Sequence, residues 1–119
     1  MDRFNKELME CPFRLTMSIL EGKWKLPIIY SLCNTEILRF RELERDVSGI
    51  TPRMLVKELK ELEQFGIVTR TAYPTIPPTV EYRLTHRGHT LQPIIDKISE
   101  WGEDHRREML KNLKDRIEE

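Results

Sequence analysis

Apolar residues recur three and four positions apart along most of this chain, and the breaks in that spacing mark off a series of short helices. The clearest lies between Thr51 and Gly66, where Leu55, Leu59 and Leu62 fall on one side at about 100° per residue. Arg53, Lys57, Lys60 and Gln64 fall on the opposite side, with Glu58, Glu61 and Glu63 on the flanks. Thr51 supplies a capping hydroxyl, Pro52 suits the first helical position, and Gly66 is the residue type that ends helices in the left-handed conformation. The pattern predicts a helix with its back in a core and a basic stripe facing out.

Upstream, Phe40, Leu43 and Val47 predict a short helix within Arg39–Val47, followed by a tight Ser48-Gly49 turn and a corner anchored by Ile50. Helix, short glycine turn, helix with basic residues at its start is the helix-turn-helix pattern. Earlier still, Leu15, Ile19 and Leu20 mark a helix that stops at Gly22. A second begins near Lys23 or Trp24 and carries Leu26, Ile28, Ile29 and Leu32, with Pro27 tolerable only in its first turn. Phe4 and Leu8 share one helical spacing before the Cys11-Pro12 break, and Ile37-Leu38 is a short strand candidate.

Beyond Gly66 the period changes to two. Ile67–Tyr73 is rich in β-branched residues, Val80, Tyr82 and Leu84 alternate within Thr79–Leu84, and Pro74-Thr75-Ile76-Pro77-Pro78 is a stiff turn between them. The predicted fold is mostly α with a small β-hairpin: a winged helix-turn-helix with additional terminal dimerisation helices. Thr85 is placed to cap the last helical region, where Leu91, Ile94, Ile95, Ile98 and Trp101 form a stripe continued by Met109, Leu110, Leu113 and Ile117. Pro93 predicts a kink and Gly102 a second bend. An apolar stripe this long exceeds a small core and predicts a partner surface, most simply a second copy. Phe4, Leu8, Trp101, Met109, Leu110, Leu113 and Ile117 are the expected dimer contacts. A two-fold dimer sets two recognition helices about 34 Å apart, the spacing of a palindromic operator on double-stranded DNA.

The length of 119 residues fits one domain, with a DNA-binding core over about 11–85 and dimerisation elements at 1–10 and 86–119. No apolar run approaches the ~20 residues of a membrane span, and the start lacks the apolar core of a secretory signal, so a cytoplasmic protein with no membrane partner is expected. Basic and acidic residues number 20 each. Between Arg39 and Arg70, seven basic residues face six acidic ones, so any DNA binding rests on how charge is arranged rather than on its excess. Two cysteines are too few for a disulfide scaffold, and His86 and His89 lack a third ligand. With no phosphate loop, nucleophile elbow or zinc quartet, neither a cofactor, a metal nor an enzyme is expected.

Thr51, Pro52, Arg53 and Met54 open the predicted recognition helix, where such helices meet base edges; Arg53 is suited to guanine, and Lys57 and Lys60 to phosphates. Arg39 and Arg41 at the start of the preceding helix are candidate phosphate contacts, as are Arg70, Arg83 and Pro77 in the wing. Each has a plainer alternative: a solvated helix face, salt bridges to neighbouring acids, or a purely structural hairpin. Trp24 and Trp101 are core or interface anchors first and ligand-pocket walls second. Cys11 precedes Pro12 at a helix N-terminus, where the helix dipole favours the reactive thiolate, against the alternative of a buried inert thiol; Cys33 fits the inert role.

The ordered elements Cys11-Pro12, Gly22-Lys23-Trp24, Arg39-Phe40-x-x-Leu43, Gly49-Ile50-Thr51, Leu59-x-x-Leu62, Gly66-Ile67-Val68-x-Arg70, Val80-Glu81-Tyr82-x-Leu84-Thr85, Gly88 and Trp101-Gly102 resemble the HxlR family of bacterial winged-helix regulators. The match covers roughly Cys11 to Trp101, with Pro27 standing where many members carry an aliphatic residue. The resemblance implies a homodimeric transcription factor, related in architecture to the MarR group and dimerising through terminal helices. It also implies that Cys11 occupies a position serving some members as a sensor of oxidants or electrophiles. The expected function is sequence-specific transcriptional regulation by a homodimer with a redox or small-molecule effector. The alternatives are a small-molecule-responsive regulator without thiol chemistry, and a winged-helix module for protein contacts.

Overall fold

The computed structural model describes residues 6–118, the side chains of Glu7 and Leu8 aside. The described residues form, in order, α1 (Lys6–Glu10), α2 (Pro12–Leu20), α3 (Lys25–Asn34), β1 (Leu38–Arg39), α4 (Phe40–Asp46), α5 (Pro52–Gln64), β2 (Val68–Tyr73), β3 (Thr79–Leu84), α6 (His86–His89) and α7 (Gln92–Glu118). They divide into two units, Met1–His89 and Thr90–Glu119.

In the first unit, α3, α4 and α5 bury the apolar residues that the spacing selected. Ile28, Ile29, Leu32, Leu43, Leu55 and Leu62 are wholly enclosed, with Leu59, Val68, Tyr82 and Leu84 beside them. The helix-turn-helix is α4 and α5, joined through Gly49 at φ +89° and the buried Ile50. Both ends of α5 are chemically closed. The Thr51 hydroxyl accepts the Met54 N–H at 3.2 Å, and Pro52 opens the first turn. At the far end Gly66 adopts φ +76°, its N–H reaching Glu63 O at 3.0 Å and the Ile67 N–H reaching Leu62 O at 2.9 Å. These two bonds satisfy carbonyls the helix leaves orphaned and turn the chain into the wing. Thr51→Ala is expected to cost about 1 kcal/mol in a denaturant titration, the worth of one capping hydroxyl.

The wing is a three-stranded antiparallel sheet in the order β1-β3-β2. Its third strand is Leu38–Arg39 rather than Ile37–Leu38: Leu38 is buried opposite Tyr82, Ile37 is exposed, and Arg39 both ends the strand and precedes α4. Register Val68↔Leu84, Arg70↔Tyr82 and Ala72↔Val80 puts these six residues on one face, buried at Val68, Tyr82 and Leu84. After β3, the Thr85 hydroxyl accepts the Gly88 N–H at 2.9 Å and donates to Gly66 O at 2.5 Å. A Cβ on Gly88 would lie 2.3 Å from Ile67 O, so this close approach requires glycine.

The second unit is α7, 27 residues long and continuous; at 1.5 Å per residue it spans about 40 Å. The expected kink at Pro93 is absent. Pro93 is the second residue of α7, where its missing N–H breaks no intrahelical bond, and the helix runs through Gly102 without a stop.

Candidate nucleic-acid interface

The exposed face of α5 emerges from the way the helix is held. With Leu55, Leu59 and Leu62 inward, Arg53, Lys57, Lys60 and Gln64 stand exposed on one line along the opposite side. Thr51 and Pro52 are exposed at the helix start, and Met54 is half-buried on its edge. The predicted basic stripe is therefore a solvent-facing surface continuous with an open helix N-terminus. A major groove of DNA admits one α-helix, and this stripe runs along one side of the helix over three turns.

Two grooves open beside the wing. One lies between α5 and the wing, about 400 Å³, lined by Phe40, Val56, Leu59, Lys60, Glu63, Arg70 and Tyr82. The other, about 540 Å³, lies between α4 and the wing tip and is lined by Arg39, Phe40, Arg41, Glu42, Arg45 and the 77–80 segment. Arg39, Arg41 and Pro77, chosen separately from the sequence, thus share one groove, and Arg45 joins them. Arg45 is three to four residues beyond Arg41 and Glu42 on the same helix, a helical spacing that identifies it once α4 is placed. The acid lining that groove is Glu42, whose Oε1 accepts the Arg39 N–H at 2.8 Å and so caps α4.

Arg70 and Arg83 lie on opposite faces of the wing. Arg70 lies opposite Tyr82 at the rim of the groove beside Lys60, whereas Arg83 pairs with Thr69 and points to the other face of the sheet. There Arg83 sits 3.6 Å from Glu81, and its Nε is buried with no hydrogen-bond partner among the described residues. Sequence alternation alone assigned both to the wing, and only the strand register separates them. At the tip, Ile76 is fully exposed beside Pro77, while the Thr75 hydroxyl donates to Pro77 O at 2.8 Å and lies 2.9 Å from the Thr79 hydroxyl. Ile76 carries no sequence signal of its own, because an apolar residue between prolines reads as turn filling.

Periodicity misplaces one group of charges. Glu58, placed on a flank between the core face and the basic stripe, is buried at 7% exposure together with Lys25 at 5%. The Lys25 ammonium donates to Glu58 Oε2 at 2.8 Å and to Glu61 Oε2 at 2.5 Å. Burial alone would lower the Lys25 pKa, but the hydrogen bonds and charges of Glu58 and Glu61 outweigh it and hold the ammonium above its ordinary value.

Cys11 sits at the junction of α1 and α2 as the N-cap residue of α2, half-buried and outside any disulfide, its carbonyl accepting the Leu15 N–H at 2.9 Å. Cys33 is half-buried near the end of α3. Among the expected dimer contacts, Phe4 lies outside the described residues, as does the Leu8 side chain. Trp101, Met109, Leu110, Leu113 and Ile117 are all more than half exposed on α7, and the Trp101 ring stacks on His105 at 4.8 Å. Ile94, Ile98, Trp101 and His105 share one face at 100° per residue; Met109, Leu110, Leu113 and Ile117 centre roughly a quarter turn away. Among the described residues no cluster of His, Cys, Asp or Glu has metal-binding geometry, and no helix is long and apolar enough to cross a membrane.

Known proteins share this architecture. The family model described as HxlR-like helix-turn-helix matches residues 19–110. An HTH-type transcriptional regulator of Halalkalibacterium halodurans is 46% identical over 97 residues, covering 82% of this chain and 86% of that protein. The regulator YybR of Bacillus subtilis is 45% identical over 102 residues, covering 86% of this chain and 79% of its own. Among solved structures, the redox regulator HypR in its reduced form superposes with a TM-score of 0.77 at 42% identity, over 85% of this chain and 99% of that one. Reduced YodB from B. subtilis superposes with a TM-score of 0.67 at 36% identity, over 76% of this chain and 89% of that one. Helix-turn-helix, wing and the match over residues 19–110 agree, and the chain belongs to the HxlR-like helix-turn-helix family of transcriptional regulators.

Proposed function

We propose that this regulator acts as a homodimer that reads a short palindromic operator on double-stranded DNA. The observation that carries the reading is the exposed line Arg53, Lys57, Lys60 and Gln64 on a helix capped at both ends and buried along its back. The start of α5, at Thr51, Pro52, Arg53 and Met54, meets base edges, and Lys57 and Lys60 hold phosphates. The groove of Arg39, Arg41 and Arg45 beside Pro77 takes the flanking backbone, Arg70 contacts DNA from the groove beside Lys60, and Arg83 is a separate candidate contact on the opposite face of the wing. The exposed apolar faces of α7, with Phe4 and Leu8 of the N-terminal segment, join two copies, and the protein works in the cytoplasm, where its DNA lies.

Fluorescence anisotropy with duplex DNA from immediately upstream of the protein's own gene tests this, titrated beside a scrambled duplex at low and near-physiological salt. Tight, salt-sensitive binding that favours the upstream duplex is the expected result. Negligible affinity for any duplex even at low salt would point instead to a protein-contact module.

A second reading concerns Cys11. A half-buried thiol at the junction of two helices, in a chain 42% identical to a redox regulator solved in reduced form, supports oxidant-dependent control. Diamide is expected to lower the DNA affinity of the wild type by tenfold or more, in the range of typical allosteric coupling of about 1–3 kcal/mol, and to leave Cys11→Ser unchanged. An equal response in both proteins would favour a small-molecule effector without thiol chemistry.

A further inference from the structure

Lys25, Glu58 and Glu61 occupy positions that each disfavour them locally. Lys25 is the first residue of α3, where the helix dipole repels a cation, and it is 5% exposed. Glu58 and Glu61 stand three apart on α5, so their charges repel one another, and Glu58 is 7% exposed. Pairing across 33 and 36 residues of sequence offsets these liabilities, with one ammonium shared between two carboxylates on neighbouring helices. Buried ion pairs of this kind add little net stability over apolar packing of the same volume, and their best-attested use is to fix one register among alternatives.

The register fixed here is that of the recognition helix. Glu58 follows Lys57 and Glu61 follows Lys60, so the two carboxylates share the turns that carry the basic face. The residue before Lys25 packs at the turn that leads into α5: the Trp24 ring lies 3.8 Å from where a Gly49 Cβ would be. The leucines on the back of α5 set its depth, yet apolar contacts are non-directional and permit small rotations. At a side-chain radius of about 5–6 Å, a rotation of about 20° moves the tips of Arg53 and Lys57 by roughly 2 Å, more than a bidentate base contact tolerates.

We propose that Lys25, through Glu58 and Glu61, is a positioning residue for sequence discrimination, locking the rotation of α5 so that its exposed face meets base edges. This rests on the DNA-reading role assigned to α5 above. Because Lys25, Glu58 and Glu61 are not among the side chains assigned to phosphates, their removal is expected to leave charge-driven affinity in place and to blunt preference among sequences.

The test begins with the wild-type protein and a duplex library carrying a randomised centre, from which bound sequences are selected. Anisotropy then compares the best selected duplex with a scrambled one, at several salt concentrations, for the wild type, K25M and the apolar triple variant K25M/E58M/E61M. The expected result is a drop of about tenfold or more in discrimination for both variants, arising from weaker binding to the selected duplex. The salt slope on scrambled DNA stays that of the wild type, and the triple variant melts cooperatively. Should K25M fail to fold, the triple variant carries the same decision. Folded variants that discriminate as well as the wild type overturn the proposal alone, whereas a wild type that enriches no sequence overturns the DNA-reading role and the proposal with it.

Discussion

Replacing Arg53 and Lys57 together by alanine is expected to weaken operator binding by two orders of magnitude or more at near-physiological salt while leaving the fold intact. Both side chains are exposed, and neither forms an ion pair with another described residue, so truncating them breaks no intramolecular bond. Exposed helix positions of this kind change stability by no more than about 0.5 kcal/mol. In the proposed DNA-reading role the two do different things. An arginine bidentate to guanine is worth about 1–3 kcal/mol of discrimination, so Arg53→Ala alone relaxes sequence preference. A lysine on a phosphate contributes to every sequence alike, and Lys57→Ala alone lowers the salt slope by about one for the phosphate it no longer neutralises. Anisotropy titrations over a salt series separate the two signatures. A double variant that binds the operator as tightly as the wild type would remove α5 from the interface.

Much of this surface was legible because it depends on local chemistry. A threonine-proline start, a glycine stop and leucines at 3.6-residue spacing define α5 from residues adjacent in sequence, and the exposed stripe follows geometrically. What escaped depends on partners distant in sequence. Glu58 obeys the periodicity of a flank position, yet it is enclosed, because Lys25 arrives from 33 residues upstream and neutralises it. Charged residues are almost never buried unpaired, so the pairing had to be seen before the burial made sense. Arg70 and Arg83 look equivalent in a hairpin until the register Arg70↔Tyr82 and Thr69↔Arg83 turns them to opposite faces. Pro93 reads as a bend because Thr85 caps what the sequence presents as one helical region. The four-residue α6 instead ends at His89, and Pro93 opens a new helix rather than interrupting an old one.

Glutamate at both Leu110 and Leu113 is expected to turn the proposed homodimer into a monomer and to cost more operator affinity than any single side chain on α5. Both leucines are more than half exposed, on a helix with ion pairs of its own: Arg106 reaches Glu103 at 2.6 and 2.7 Å, and Lys97 reaches Glu100 at 3.0 Å. Glutamate is a good helix former, so the substitutions leave α7 helical while placing two charges on the face that would meet the partner. Because the centre of the apolar positions shifts by roughly a quarter turn between the patch around Trp101 and the patch around Leu113, a second helix must wrap around α7 rather than lie along one line, and both patches are then required. Linking two half-site contacts raises affinity by about 10²–10⁴ over one alone, and a monomer forfeits that gain entirely. Sedimentation of the wild type at twice the chain mass, and of the double variant at the chain mass, is the expected pair of results. The variant should bind a half-site duplex as well as the wild type does, since its α5 face is untouched, and lose only the advantage of the full palindrome. If the variant sediments as a dimer, the α7 stripe serves another partner, and the spacing of two recognition helices must be set elsewhere in the chain.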